Sequence, residues 1–333
     1  MMRHILLFTT TLFVSTLLCT SRTTASVLQD SMGNKISAVD TVIRIEANPD
    51  LGFNFPYYLR IPKGLDQNEI QYFLVETNNT GVNDTLLHHE KEAYLQTTRN
   101  SLGSSICSKL KIPFLVPVFP RPAKDWKIYT HAFDRDAANI NSGDMKRLDL
   151  QLIAMIENAR EVLKKHGINV KEKFLMNGFS ASGTFANRFT SIHPQLVAGI
   201  ACGGINAIAI LPVSELQETE LKYPLGTSDF ELLFGIKFNV DAFQKVPQFI
   251  YMGQNDDNDA ALFDDGYSEE ERIIIFNLLG KVMIPDRFNK CESVYIQNKV
   301  NSTFKVYQGI GHETDKQVFD DVIDFFTKII NEK

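Results

Sequence analysis

Two kinds of hydrophobic pattern alternate along this chain. Thr41 to Ala47 (T-V-I-R-I-E-A) and Tyr57 to Ile61 (Y-Y-L-R-I) alternate apolar and polar positions, the period of two that predicts half-buried antiparallel strands. Later runs are more continuously apolar: Tyr72 to Val75, Pro113 to Val118, Phe174 to Met176, Val197 to Ala201, Phe249 to Met252 and Phe304 to Tyr307. Such runs predict central strands covered on both faces. Between them lie stretches of helical spacing. Leu152, Ile156, Ala159 and Leu163 recur on one face, and Gly167 stops that helix. Residues Glu90 to Leu110, Thr184 to Ile192 and Glu269 to Val282 read likewise. The last helix, about Asp315 to Ile330, carries Val318, Val322, Phe325 and Ile329 on one face.

Early antiparallel strands followed by repeated strand–helix units predict an α/β chain with a mostly parallel, doubly wound sheet and helices on both faces. The stretch at about 205–246 breaks that rhythm. It holds Pro212, Pro224, Gly226 and Gly235 among many aromatics, and is expected to cap the C-terminal edge of the sheet, where ligand sites of such folds lie.

At the N-terminus, Met-Met-Arg-His leads into an apolar run from Ile5 to Leu18, with small residues at Ser21 and Ala25-Ser26. This pattern predicts a cleaved secretory signal over residues 1–26, with 27–333 as one domain. The run is short for a stable membrane span. Leu18 precedes Cys19 where a lipid-modified cysteine would follow a small residue, which disfavours a lipoprotein.

Composition narrows the function classes. With 44% hydrophobic and 22% charged residues the chain has the makings of a sizeable core. Its net charge is −6 and it has no Lys/Arg cluster to grip a phosphate backbone, so nucleic acid is not an expected partner. Cys107, Cys202 and Cys291 show no close spacing. Neither a metal motif nor a disulfide framework results, although one bridge plus a free thiol stays open.

The candidate chemistry centres on Gly178-Phe179-Ser180-Ala181-Ser182-Gly183, where an apolar run gives way at once to a helical pattern. A serine held at a strand-to-helix turn needs small neighbours two residues away on each side, which Gly178 and Ser182 supply. Such a turn, the nucleophile elbow, lifts the hydroxyl clear of the sheet and turns the following amides toward an oxyanion. Ser180 is the candidate nucleophile.

A serine hydroxyl needs a base, and that base needs a carboxylate to fix its tautomer. Only His193 and His312 follow Ser180. His193, in Ser-Ile-His-Pro at the end of the helix, is expected to cap it. His312 follows the strand Thr303 to Tyr307 in Gln-Gly-Ile-Gly-His-Glu, where Gly309 and Gly311 permit a sharp loop. The acid is expected after the penultimate strand, at Asp256 in Gly-Gln-Asn-Asp-Asp-Asn-Asp, with Asp257 and Asp259 as competitors. That loop could instead present its oxygens to Ca²⁺, but it lacks the spacing and closing Glu of a twelve-residue calcium loop. One oxyanion donor is expected from the amide of Ala181. The other is expected from Asn78 or Asn79, in the loop after Tyr72 to Val75. Asn78-Asn79-Thr80 and Asn83-Asp84-Thr85 also match the glycosylation pattern, and a glycan on Asn78 would obstruct that role. Phe179 and His131 are the candidate substrate-binding residues.

With serine, acid and histidine in this order, the chain resembles the α/β-hydrolase superfamily over nearly all of residues 27–333. The stretch Gly178 to Pro194 (G-F-S-A-S-G-T-F-A-N-R-F-T-S-I-H-P) and the strand ending in Cys202-Gly203-Gly204 look most like the secreted polyhydroxybutyrate depolymerase and feruloyl esterase branch. The resemblance implies a Ser180–Asp256–His312 triad hydrolysing a small or polymeric carboxylic ester through an acyl-enzyme, without metal or cofactor. Two features depart from the family: Ser182 replaces the usual second glycine, and the oxyanion loop reads Asn-Asn-Thr-Gly. A serine peptidase on the same fold, or a binding protein that kept the fold without the catalysis, are the competing readings.

Overall fold

The computed structural model describes residues 27–29, 35–99 and 101–332, so the secretory signal expected over 1–26 lies outside the described residues. The core of the architecture is an eight-stranded sheet. Its strands are β1 (Thr41–Ile45), β2 (Tyr57–Ile61), β3 (Leu74–Val75), β4 (Phe114–Pro117), β5 (Phe174–Phe179), β6 (Val197–Gly203), β7 (Gln248–Gly253) and β8 (Ser302–Tyr307). Their spatial order is β1-β2-β4-β3-β5-β6-β7-β8. The pairs β1–β2 and β2–β4 are antiparallel, and all pairs from β4 to β8 are parallel. Two short antiparallel pairs, 27–29 with 35–37 and 215–216 with 219–220, stand apart from it.

The sheet separates two apolar layers. On one face, Leu115, Ile200, Cys202, Ile250 and Met252 pack under α3 (Leu148–Lys165) and α4 (Ala181–Ile192). On the other, Phe114, Val116, Ala201, Phe249 and Tyr251 pack against α1 (Leu86–Thr98), α2 (Leu102–Leu110) and α7 (Lys316–Asn331). Helices α5 (Glu269–Leu278) and α6 (Phe288–Gln297) lie between β7 and β8 in the chain and add Ile275, Phe288, Val294 and Tyr295 to the first layer. Alternate residues of each central strand thus serve opposite layers, and both are dry, as the continuously apolar runs predict.

Three expectations change at the level of elements. The stretch Glu90 to Leu110 forms two helices, because Thr85 and Ser101 each cap a new N-terminus through their hydroxyls. β2 is buried along its whole length rather than half-exposed. Its one charged residue, Arg60, is accommodated by Asp40 at 2.6 and 2.8 Å and by the Ser104 and Ser108 hydroxyls. Cys107, Cys202 and Cys291 are all buried and all free, so no bridge joins them.

The 205–246 stretch, expected to cap the sheet edge, packs beside α4 and α6 and against Phe133, which meets the rings of Tyr223 and Phe234. The Ile210 amide donates to Asn187 Oδ1 at 2.8 Å, Tyr295 Oη donates to the Ile210 carbonyl at 2.9 Å, and Phe243 packs on Tyr295. Among the described residues no helix is long and apolar enough to cross a membrane.

Candidate active site

Strand β5 ends at Phe179 and α4 begins at Ala181, which leaves Ser180 alone to turn the chain. It does so at φ 60° and ψ −128°, a backbone region that a residue with a Cβ adopts only under constraint. The constraint is local. A Cβ on Gly178 would overlap the Ser182 carbonyl, and one on Gly183 would press on the Gly203 carbonyl, so backbone meets backbone at both positions. The Ser180 amide is tied to the Gly203 carbonyl on the neighbouring strand at 2.9 Å. Ser182 contributes more than small size, since its hydroxyl bridges both the amide (3.0 Å) and the carbonyl (2.9 Å) of Phe179.

The loops that follow β7 and β8 meet at this turn. A Cβ on Gly253 would collide with the carbonyls of Ile310 and Gly311, and the Asn255 amide donates to the Ile310 carbonyl at 2.8 Å. Gly309 takes the left-handed conformation, φ +75°, that the tight loop before His312 demands. Ser180 Oγ then lies 2.9 Å from His312 Nε2, and His312 Nδ1 lies 2.9 and 3.0 Å from the two oxygens of Asp256. Asp256 is buried.

Its competitors are otherwise engaged: Asp259 pairs with the buried Arg287 and Asp257 faces solvent. Asn258, from the same loop, places its amide nitrogen 3.0 Å from His312 Nε2, while its main-chain N–H donates to Asp256 Oδ1 at 3.0 Å. With Asp256 accepting from Nδ1–H, Nε2 is left as an acceptor facing the serine hydroxyl.

The remaining candidates fall out differently. Ala181 is the first residue of α4, so its N–H has no intrahelical acceptor and stands next to Ser180. Asn78 is fully buried with its side chain clamped on Phe119, donating to the carbonyl and accepting from the amide, both at 2.9 Å. A glycan could not be carried there in the folded state. The Asn79 amide donates to Gln96 Oε1 at 3.3 Å and its side chain to the Phe179 carbonyl at 3.0 Å, so it braces the elbow. Of that loop, Gly81 lines the cleft.

His131 does not line the cleft at all. It is fully buried, with Nε2 2.8 Å from the Phe119 carbonyl and its ring against His89. Burial pulls it down to a pKa of about 3, so it stays neutral. Phe179 packs its ring against His312 at 4.9 Å and backs the base instead of lining the Ser180 cleft. His193 ends α4 and holds Asp149 at 2.8 Å, a structural contact far from the turn.

Ser180 opens into a cavity of about 520 Å³. Its walls come from the segment 121–132 (Arg121, Trp126, Tyr129, Ala132), from 258–267, and from the α4 residues Ala181, Thr184 and Arg188. From the 205–246 stretch only Asn206 takes part. Arg121, Arg188 and Asn258 were not anticipated from the chain. The four-residue spacing of Ser180, Thr184 and Arg188 carries a legible signal, since it puts all three on one face of the helix.

No family model and no curated protein sequence matches the chain. Solved structures do. A poly(aspartic acid) hydrolase from Sphingomonas sp. KT-1 aligns with a TM-score of 0.56 at 13% identity, covering 88% of this chain and 99% of that one. A poly(3-hydroxybutyrate) depolymerase from Bordetella parapertussis aligns with a TM-score of 0.52 at 17% identity, covering 87% and 90%. An S-formylglutathione hydrolase from Agrobacterium tumefaciens aligns with a TM-score of 0.50 at 11% identity, covering 92% and 99%. At such identities the likeness is one of fold, and the fold is that of the α/β hydrolases.

Proposed function

We propose that the protein is a serine hydrolase that cleaves carboxylic esters through an acyl-enzyme formed on Ser180. One observation carries the reading: a serine at a strained strand-to-helix turn is linked through His312 to the buried Asp256 by hydrogen bonds of 2.9 to 3.0 Å. Strain of this kind persists only where the surrounding structure over-determines it.

In the proposed cycle the Ser180 oxygen attacks the acyl carbon while its proton passes to His312 Nε2. Asp256, accepting from Nδ1–H, holds the tautomer and stabilises the imidazolium. The oxyanion of the tetrahedral intermediate is met by the Ala181 N–H and by a second donor from the 78–81 loop. His312 then returns its proton to the leaving alcohol, and water releases the acid by the same steps in reverse. A rotation of the Asn258 amide would let its oxygen accept from the protonated Nε2 between the two transfers.

A fluorophosphonate probe tests the reading, because it phosphonylates only an activated serine. The expected result is one adduct, located at Ser180 by peptide mass spectrometry and lost in His312→Ala. Labelling at another serine would contradict Ser180 as the nucleophile, and no labelling would point to a fold retained without the chemistry. Comparing p-nitrophenyl esters with peptide anilides decides between ester and peptide bonds, and the reading expects turnover of the esters.

A further inference from the structure

Arg188 is a cation sunk into the cleft wall without an anion of its own. It is 3% exposed, lines the same cavity as Ser180, and donates to two neutral groups, the Ala132 carbonyl and the Tyr267 hydroxyl, each at 3.0 Å. These use two of the five N–H groups of a guanidinium. Among the described residues no carboxylate pairs with it, whereas Arg121, Arg147, Arg272 and Arg287 each have one. A charge taken from water without a partner is costly, which makes such an arrangement rare unless something binds there.

Its surroundings sharpen the point. Two acids lie within electrostatic range, Asp134 and Glu271, but neither pairs with it: burial pushes Asp134 up to about 7 and its oxygen caps a short helix at the Ala137 amide, 2.8 Å away, while Glu271 accepts from the Ser268 amide at 2.8 Å. Asp134 is therefore only partly ionised near neutrality. Arg121, in the same cavity and 4% exposed, lies over the Tyr129 ring at 3.5 Å and gives Nη2 to Asp265 at 2.6 Å. Its Nε and Nη1 have no partner. The acids that line the cavity are already matched, Asp265 by Arg121 and Asp264 by Arg272. The wall therefore holds more buried cation than anion.

We infer that the cleft recognises a carboxylate on the substrate at Arg188, with Arg121 in support, so that favoured substrates are esters bearing a free carboxylate. This rests on Ser180 as the nucleophile for the position of the scissile bond. Arg188 stands eight residues beyond Ser180, in the helix that Ser180 immediately precedes, a rise of about 12 Å between the two Cα levels. Helical side chains lean toward the N-terminus, which shortens the span to the guanidinium. A few carbons therefore separate the scissile carbonyl from the anchoring carboxylate.

The test uses the p-nitrophenyl hemiesters of succinate, glutarate and adipate, each against its terminal carboxamide, a neutral isostere. In the wild-type protein kcat/KM for the acid exceeds that for the amide by about tenfold or more at one chain length or several, as a charge-assisted contact warrants. That ratio falls toward one in Arg188→Gln. Because it is taken within one variant, a general loss of activity cancels. Equal rates for acid and amide at every length in the wild type, or an unchanged ratio in Arg188→Gln, would overturn the inference.

Should Arg188→Gln not fold, competitive inhibition of the wild type by glutarate against glutaramide decides, and equal inhibition overturns it. If no ester is turned over, the esterase reading fails separately. Calorimetric binding of glutarate, with glutaramide as control, still tests the anion site, and equal affinity for the two rejects it.

Discussion

At the scale of single residues, the functional reading turns on hydrogen bonds that a like-sized substitution can break without moving the backbone. Asp256→Asn retains the shape of the acid but cannot hold His312 in the Nδ1–H tautomer. Its kcat on an activated ester should drop by roughly 10³ to 10⁴-fold with KM little changed, and steady-state kinetics on the variant measures this directly. Ser180 and His312 could be picked out from loop chemistry together with the serine–acid–histidine order, whereas Asp256 kept Asp257 and Asp259 as competitors until the structure placed only Asp256 at His312 Nδ1.

Asn78 and His131 were not legible, because their polar groups are consumed by Phe119 in the interior, and no local pattern separates a buried polar residue from a cleft one. A second buried acid makes a stability prediction. Glu76 lies fully buried, and desolvation pushes it up to about 7 against the hydrogen bonds of Asn177 and Gln96. Since the unfolded chain ionises it near pH 4.5, stability is lost as the pH rises from there through about 7. Glu76→Gln should therefore be more stable than the wild type at pH 8, by about 3 kcal/mol at most, and no more stable at pH 4. Thermal denaturation at the two values reads the difference.

At the scale of elements, the strand–turn–helix formed by β5 and α4 is where local strain and function coincide. Gly178→Ala drives a methyl into the Ser182 backbone. That variant should lose about 2 kcal/mol or more of stability and most of its esterase activity together, followed by denaturant unfolding and turnover on the same preparation. Ser182→Gly keeps the position small but removes the hydroxyl that bridges Phe179. It should cost about 1 kcal/mol, the ordinary worth of such bonds, and leave the reaction in place. The order of elements was legible because the central runs are continuously apolar. The break between α1 and α2 was not, since apolar residues resume at Leu102 after the polar run 96–101 and only the capping hydroxyl of Ser101 marks a new start. β2 misled for a related reason: Arg60 looks like an outward polar position until Asp40 and two serines enclose it.

At the scale of the whole molecule, the parallel half of the sheet gathers three loops distant in sequence at one edge, and the cleft is what they enclose. Its walls are segments 121–132 and 258–267, where Trp126, Tyr129, Leu262 and Phe263 stand among charged residues without helical or strand periodicity, and so were invisible to pattern reading. The aromatic insertion at 205–246 drew attention instead, yet it spends its apolar surface on its own rings, on Phe133 and on α4 and α6. Buried histidine gives the molecule an acid limit. His131 is neutral in the fold down to about pH 3 but ionises near 6.5 when unfolded, so stability falls as the pH drops through that window. Hydrogen-exchange protection in the 119–131 segment, relative to the intrinsic rate at each pH, should fall below pH 5 before that of the sheet.

The central claim, that Ser180 is a nucleophile driven by His312 and Asp256, is tested most directly by hydrolysis of p-nitrophenyl butyrate by the wild type and by Ser180→Ala, each shown to be folded by circular dichroism. The account predicts turnover by the wild type and a loss of roughly 10³-fold or more in kcat for the variant. Equal activity in the two proteins would contradict it.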